Sequence, residues 1–130
     1  MTGLLIVSHS ATLAEGVAEL VRTMAPGVPI AVVGGDRERL GVSADGIIAG
    51  WQHLASQARS AVALFDLGSS LLNLENAVEL AGAKPPCPLT IADAPLVEGA
   101  VAAALAALTG GGMEAVRDEA EAARGLPKRS

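Results

Sequence analysis

The sequence predicts a single-domain α/β protein, a three-layer αβα sandwich around a mainly parallel sheet. Short β-branched or leucine-rich runs alternate with longer segments of helical spacing, the pattern of repeated βαβ units. The chain has 130 residues and is 51% hydrophobic, enough for one sizeable core. Its only aromatic residues are Trp51 and Phe65, so Ala, Leu, Val and Ile must build that core with the layers close together.

The first run, residues 3–7 (GLLIV), reads as a strand. Residues 11–24 then place Leu13, Val17, Leu20 and Val21 on one helical face, with Glu15, Glu19 and Arg22 elsewhere. A second strand at 28–33 (VPIAVV) leads to a helix over 44–58. A third at 61–65 (AVALF) leads to a helix over 69–82, and a fourth at 88–92 (PLTIA) to a helix over 96–108. That last helix is nearly all Ala, Val and Leu, so it should be buried on more than one side, inside the domain or against a second subunit. Thr109-Gly110-Gly111-Gly112 ends it, and residues 113–124 (MEAVRDEAEAAR) read as a charged surface helix. The domain is assigned to 1–124 and a flexible tail to 125–130, with no internal repeat.

Charge and cysteine usage narrow the function classes. A net charge of -5, with Lys128-Arg129 the only basic cluster, leaves no face to neutralise nucleic-acid phosphates. A lone Cys87 excludes an internal disulfide and suits a reducing compartment. The N-terminus lacks the basic and small-residue features of a signal peptide, and no apolar run reaches the roughly 18 residues of a membrane span. A cytoplasmic protein is expected.

In open parallel sheets the working site lies beyond the carboxyl ends of the strands. Ser8-His9-Ser10 follow the first strand, and Gly34-Gly35-Asp36 with Gly41-Val42-Ser43 follow the second. Asp66-Leu67-Gly68-Ser69-Ser70 follow the third, and Asp93 the fourth. Singly, these residues have ordinary roles: serines cap helices and glycines make turns. Their collection on one edge sets them apart. His9 is the nucleophile of that edge, and an imidazole nitrogen can carry a phosphoryl group covalently. A carboxylate that accepts the other ring N–H holds the tautomer, and Asp66 is placed for this. A phosphoryl group brings about -1.5 to -2 charges, which helix N-termini with Gly and Ser stabilise. Ser10, Ser43 and Ser69 each stand at or near such a start. His53, inside the second helix, reads as a surface or interface residue.

Other chemistries lack their residues. Neither GxxxxGK[ST] nor GxGxxG follows the first strand, so no usual nucleotide cradle is present. A GxSxG turn for a hydrolase serine is absent, and two distant histidines make a poor zinc site.

The stretches LLIVSHSATLAEGVAELVRTMA, VVGGDRERLGVS, FDLGSSLLNLENAVEL and APLVEGAVAAALAA together resemble a known family. It comprises the mannose-type IIA phosphoryl-donor subunits of phosphotransferase-dependent dihydroxyacetone (glycerone) kinase. The resemblance runs from Gly3 to about Ala123. It implies the mannose-type IIA fold, a homodimer, and phosphotransferase activity without a cofactor or metal. His9 matches the phosphorylated histidine, which takes its phosphoryl group from the histidine-containing phosphocarrier protein. It then passes the group to ADP held on the nucleotide-binding subunit of the kinase. Asp66 matches the acid beside that histidine. The phosphoryl-binding residues are expected to be Ser10, Gly41, Val42, Ser43, Gly68 and Ser69. Val42 departs from the family, which usually has threonine there, so backbone N–H groups and Ser43 must supply the donors.

Mannose-type IIA domains of sugar transporters share the fold but resemble D-L-x-G-G-S-P at the third strand, where this chain has DLGSSLL. A non-catalytic regulatory dimer is the reading from another class. A docking surface for protein partners is expected around residues 9–16, 36–43 and 67–72, with Leu13, Leu40, Leu67 and Leu71.

Overall fold

The computed structural model describes residues 1–35 and 42–129. Strands β1 (Thr2–Val7), β2 (Ile30–Val33), β3 (Ser60–Phe65) and β4 (Leu89–Ile91) alternate with helices α1 (Ala11–Met24), α2 (Ala44–Ala55) and α3 (Gly68–Ala81). Helices α4 (Leu96–Leu108) and α5 (Met113–Ala122) follow β4, and a 3-10 turn spans Ala123–Gly125. The sheet has the order β2-β1-β3-β4, and every pairing is parallel. This is the expected α/β sandwich.

Alternation along the central strand sorts the helices into two layers. Leu4 and Ile6 of β1 point to a core shared with Ala14, Val17 and Val21 of α1, alanines of α4, and Val116 and Ala120 of α5. Leu5 and Val7 point the other way, onto Ile47, Trp51 and Leu54 of α2 and Leu74 and Ala77 of α3. The scarcity of aromatics is met by close approach. A Cβ added to Gly50 of α2 would lie 2.6 Å from Val33 Cγ2, and one on Gly34 would lie 2.4 Å from Ala11 Cα. The latter lets the exit of β2 run against the first turn of α1. Trp51, the largest side chain of the core, satisfies its indole N–H on the Cys87 carbonyl at 3.2 Å.

Two boundaries differ from the sequence reading. β2 starts at Ile30 and not at Val28, because Pro29 accepts from the Leu4 N–H (2.9 Å) but has no N–H to continue the ladder. α2 stops at Ala55, where the Ser56 hydroxyl donates back to the His53 carbonyl at 2.6 Å. The helix over 113–122 is less superficial than its charge suggests, since Val116 and Ala120 are fully buried.

The strand order places the site. It reverses between β1 and β3, which start the two outward windings of the sheet, and ligands of such sheets bind at that switch point. The register pairs Val7 with Phe65, so the chain leaves β1 and β3 at the same level. Residues 8–10 and 66–70 therefore meet.

Candidate functional site

Asp66 is the hub of that meeting. Its Oδ2 accepts from the Ser8 hydroxyl and the His9 backbone N–H, each at 2.9 Å. Its Oδ1 accepts from the Leu67 N–H at 2.7 Å and the Ser70 hydroxyl at 2.8 Å. His9 Nδ1 lies 3.1 Å from the same Oδ1. A carboxylate can only accept, so Nδ1 carries the proton and Nε2 presents its lone pair. The burial of Asp66 acts to raise its pKa. The hydrogen bonds from His9 N–H, Ser70, the His9 ring and Ser8 outweigh it and hold the carboxyl well below the usual carboxylate range. Asp66 is thus an anion at neutral pH, fixed from several sides.

The His9 side chain keeps 21% of its surface exposed, against 11% for Asp66. The acid is enclosed and the imidazole has an open edge. Ser69 Oγ contacts Nε2 on that edge. With the lone pair on Nε2, the Ser69 hydroxyl is the donor of this contact. Ser69 belongs to the first turn of α3, whose N-cap, Leu67, provides no side-chain cap. In α3 the Ser70 and Leu71 N–H groups both donate to the Leu67 carbonyl, at 3.0 and 3.3 Å, and Ser69, whose hydroxyl contacts Nε2, lies in this first turn, where the helix dipole favours an anion.

The local sequence builds this arrangement. The strand ends in Val7, and the buried Ser8 bridges outwards, accepting from the Ser10 N–H at 3.0 Å while donating to Asp66. Ser10 then caps α1 by accepting from the Leu13 N–H at 3.2 Å. His9 is thereby held between a strand end and a capped helix, with its backbone also tied to Asp66.

A model of the PTS system fructose IIA component family matches residues 3–117. The chain belongs to that IIA family. A Lactococcus lactis relative, the phosphotransferase subunit DhaM of PTS-dependent dihydroxyacetone kinase, is 32% identical over 120 residues, covering 92% of this chain and 93% of the relative. A Listeria innocua relative, phosphoryl donor subunit DhaM of PEP-dependent dihydroxyacetone kinase 2, is 36% identical over 121 residues, covering 92% and 96%. The Escherichia coli donor subunit DhaM is 35% identical over 121 residues, which are 89% of this chain but 25% of that longer protein. Among solved structures, EF1359, a protein of unknown function, superposes with a TM-score of 0.84 at 27% identity, covering 99% of this chain and 98% of the other.

Within this IIA domain, the structure brings His9, Asp66 and Ser69 together and places Gly68 at the first position of α3. Ser10 and Ser43 both act as N-caps, Ser43 accepting from the Gly46 N–H at 3.0 Å. Val42 packs against the core on the α2 side. Gly41 lies outside the described residues, as does Leu40 of the expected docking rim. Among the described residues, no hydrogen bond joins Ser43 to the His9 cluster. Leu13 and Leu67 of that rim are exposed, Leu67 by 61%, and Leu72 joins them, while Leu71 is half-buried. Asp93 is engaged elsewhere: its carboxylate pairs with Arg124, and its backbone N–H donates to the Glu121 carboxylate at 2.9 Å.

Two residues that the sequence placed on this edge without a role, Ser8 and Ser70, belong to the site. Both side chains are wholly buried, and both donate to Asp66. The Asp66-to-Ser70 spacing of four residues across a helix start was the available signal for one. Ser8 gave none beyond its place after the strand.

Proposed function

We propose that this protein is a phosphohistidine carrier: His9 accepts a phosphoryl group from the histidine-containing phosphocarrier protein and delivers it to ADP bound on the nucleotide-binding subunit of dihydroxyacetone kinase. The observation that carries this reading is the Nδ1–Asp66 hydrogen bond, which leaves the Nε2 lone pair on the open edge of the ring. In acceptance, Nε2 attacks phosphorus and the bond from phosphorus to the carrier's nitrogen breaks. The Nδ1 proton stays with the ring, stabilised by Asp66. Ser69 turns its hydroxyl from Nε2 to a phosphoryl oxygen, and the dipole at the start of α3 favours the added charge. Delivery is the reverse displacement, with a β-phosphate oxygen of ADP as nucleophile. Leu13, Leu67 and Leu72 form the apolar rim on which the two partners dock in turn.

The names of the Lactococcus and Listeria relatives support the kinase as the destination. The family model's own description, a fructose IIA component, favours a sugar transporter as the second reading. Labelled phosphoprotein separates them. Discharge to the ADP-loaded kinase subunit, and none to a mannose-type transporter, is the expected result; the opposite pattern would make this a transport IIA domain.

We further propose a homodimer in a reducing, cytoplasmic setting. A groove of about 430 Å³ beside α4, lined by Val97, Val101, Leu105 and Leu126, is the apolar surface assigned to the subunit contact. Sedimentation of Leu105→Glu should give monomers where the parent gives dimers; a variant that stays dimeric places the contact elsewhere.

A further inference from the structure

We propose that Ser70 is a positioning residue whose buried hydroxyl holds the plane of the His9 ring, while Asp66 sets the nitrogen that bears its proton. This inference rests on the phosphohistidine reading and names a residue that the reading did not include. The Ser70 side chain is fully buried, so no water competes for its hydroxyl. Its Oγ lies 2.8 Å from Asp66 Oδ1 and 3.0 Å from His9 Nδ1, and those two atoms are 3.1 Å apart. Three atoms thus form a nearly equilateral triangle with two protons to share.

One arrangement satisfies every member. The Ser70 O–H donates to the acceptor-only carboxylate, and the Nδ1–H points between Oδ1 and the Ser70 oxygen. In the other tautomer, Nδ1 offers a lone pair to an anionic oxygen. The single Ser70 proton then serves either Nδ1 or Asp66 and leaves the other uncompensated. A lone carboxylate sets the tautomer along one direction, whereas two acceptors side by side also resist rotation of the ring. Ser70 and Ser69 divide the work: consecutive residues of α3 touch the two ring nitrogens, Ser70 from the buried side and Ser69 from the open one. Only the second must move when the phosphoryl group arrives.

The test is a ring ¹⁵N–¹H spectrum of His9 in the unphosphorylated protein, paired with phosphoryl-acceptance kinetics. Ser70→Ala should keep the Nδ1–H tautomer that Asp66 sets, but its Nδ1–H signal should broaden and exchange with water faster as the ring loses the second acceptor that holds its plane. Acceptance should fall in kcat by roughly tenfold, the value of one hydrogen bond to a charged group, with the KM for the carrier unchanged. Ser70→Cys keeps the shape with a weaker donor and should fall between, and it supplies the measurement if the alanine variant does not fold. An Nδ1–H signal in the variant as sharp and as slow to exchange as the parent's overturns the proposal, whatever the rate does. Should the parent protein accept no phosphoryl group at all, the donor reading fails, and the spectrum still decides the role of Ser70.

Discussion

Replacing Asp66 by asparagine exchanges one atom and tests the site at its hub. The carboxylate takes five donors, two on Oδ2 and three on Oδ1. Each oxygen serves one backbone N–H: that of His9 at 2.9 Å on Oδ2 and that of Leu67 at 2.7 Å on Oδ1. An amide keeps a single acceptor oxygen. Whichever way it is turned, its NH₂ faces a backbone N–H, and one donor loses its partner: the part-buried His9 N–H in one orientation, the exposed Leu67 N–H in the other. An unsatisfied buried donor costs about 1–3 kcal/mol, which lowers Tm by roughly 4–11 °C in a domain of this size. The two orientations differ in their effect on His9. With NH₂ in the Oδ1 position, Nδ1 must accept, the ring proton moves to Nε2, and the attacking lone pair is lost. With the oxygen there, the tautomer survives but the charge that supports the ring is gone. Acceptance should therefore fall by about 10²–10⁴-fold, the loss found when a catalytic imidazole is left in the wrong tautomer or without its orienting acid. Rapid-quench phosphorylation by the general phosphotransferase enzyme and the carrier, beside a thermal melt, reads both quantities. A variant with the parent's Tm that accepts within about threefold of the parent rate would refute the hub argument.

Two further outcomes follow from the same geometry. The folded-state pKa of Asp66 lies below its unfolded value of about 3.9, so its contribution to stability is fully present above that pH region and is lost as pH falls through it towards the folded value; urea midpoints from pH 6 to 3 should drop more steeply for the parent than for Asp66→Asn, and parallel curves would count against the depressed carboxyl. Gly34→Ala sets a Cβ 2.4 Å from Ala11 Cα and 2.9 Å from Ala11 N, both backbone atoms that cannot turn aside; the urea midpoint should report a loss of about 1–3 kcal/mol, and parent-like stability would mean that the start of α1 is free to shift.

Much of this was legible in the sequence, for identifiable reasons. The runs GLLIV and AVALF are apolar because β1 and β3 are the inner strands, covered on both sides, and that burial made the sheet readable. Once two inner strands and their helices are given, the carboxyl ends must converge, so His9 and Asp66 could be named together. The boundaries that slipped were set by single hydrogen bonds, a missing donor at Pro29 and a back-bond from Ser56, which carry no periodic signal. Ser8 and Ser70 escaped for a related reason. A serine beside a strand end or in a helix's first turn reads as a cap, and only the three-dimensional meeting at Asp66 shows where its hydroxyl goes. Conversely, Ser10 and Ser43 read as phosphoryl ligands by position, while their side chains accept the backbone bonds of ordinary caps.

The most direct test of the central claim is the intact mass of the protein after incubation with phosphoenolpyruvate, the general phosphotransferase enzyme and the phosphocarrier protein. The account predicts a gain of one phosphoryl group that is lost on acid treatment and never appears in His9→Ala. No gain with carriers that charge a control acceptor, or an equal gain in His9→Ala, would contradict it.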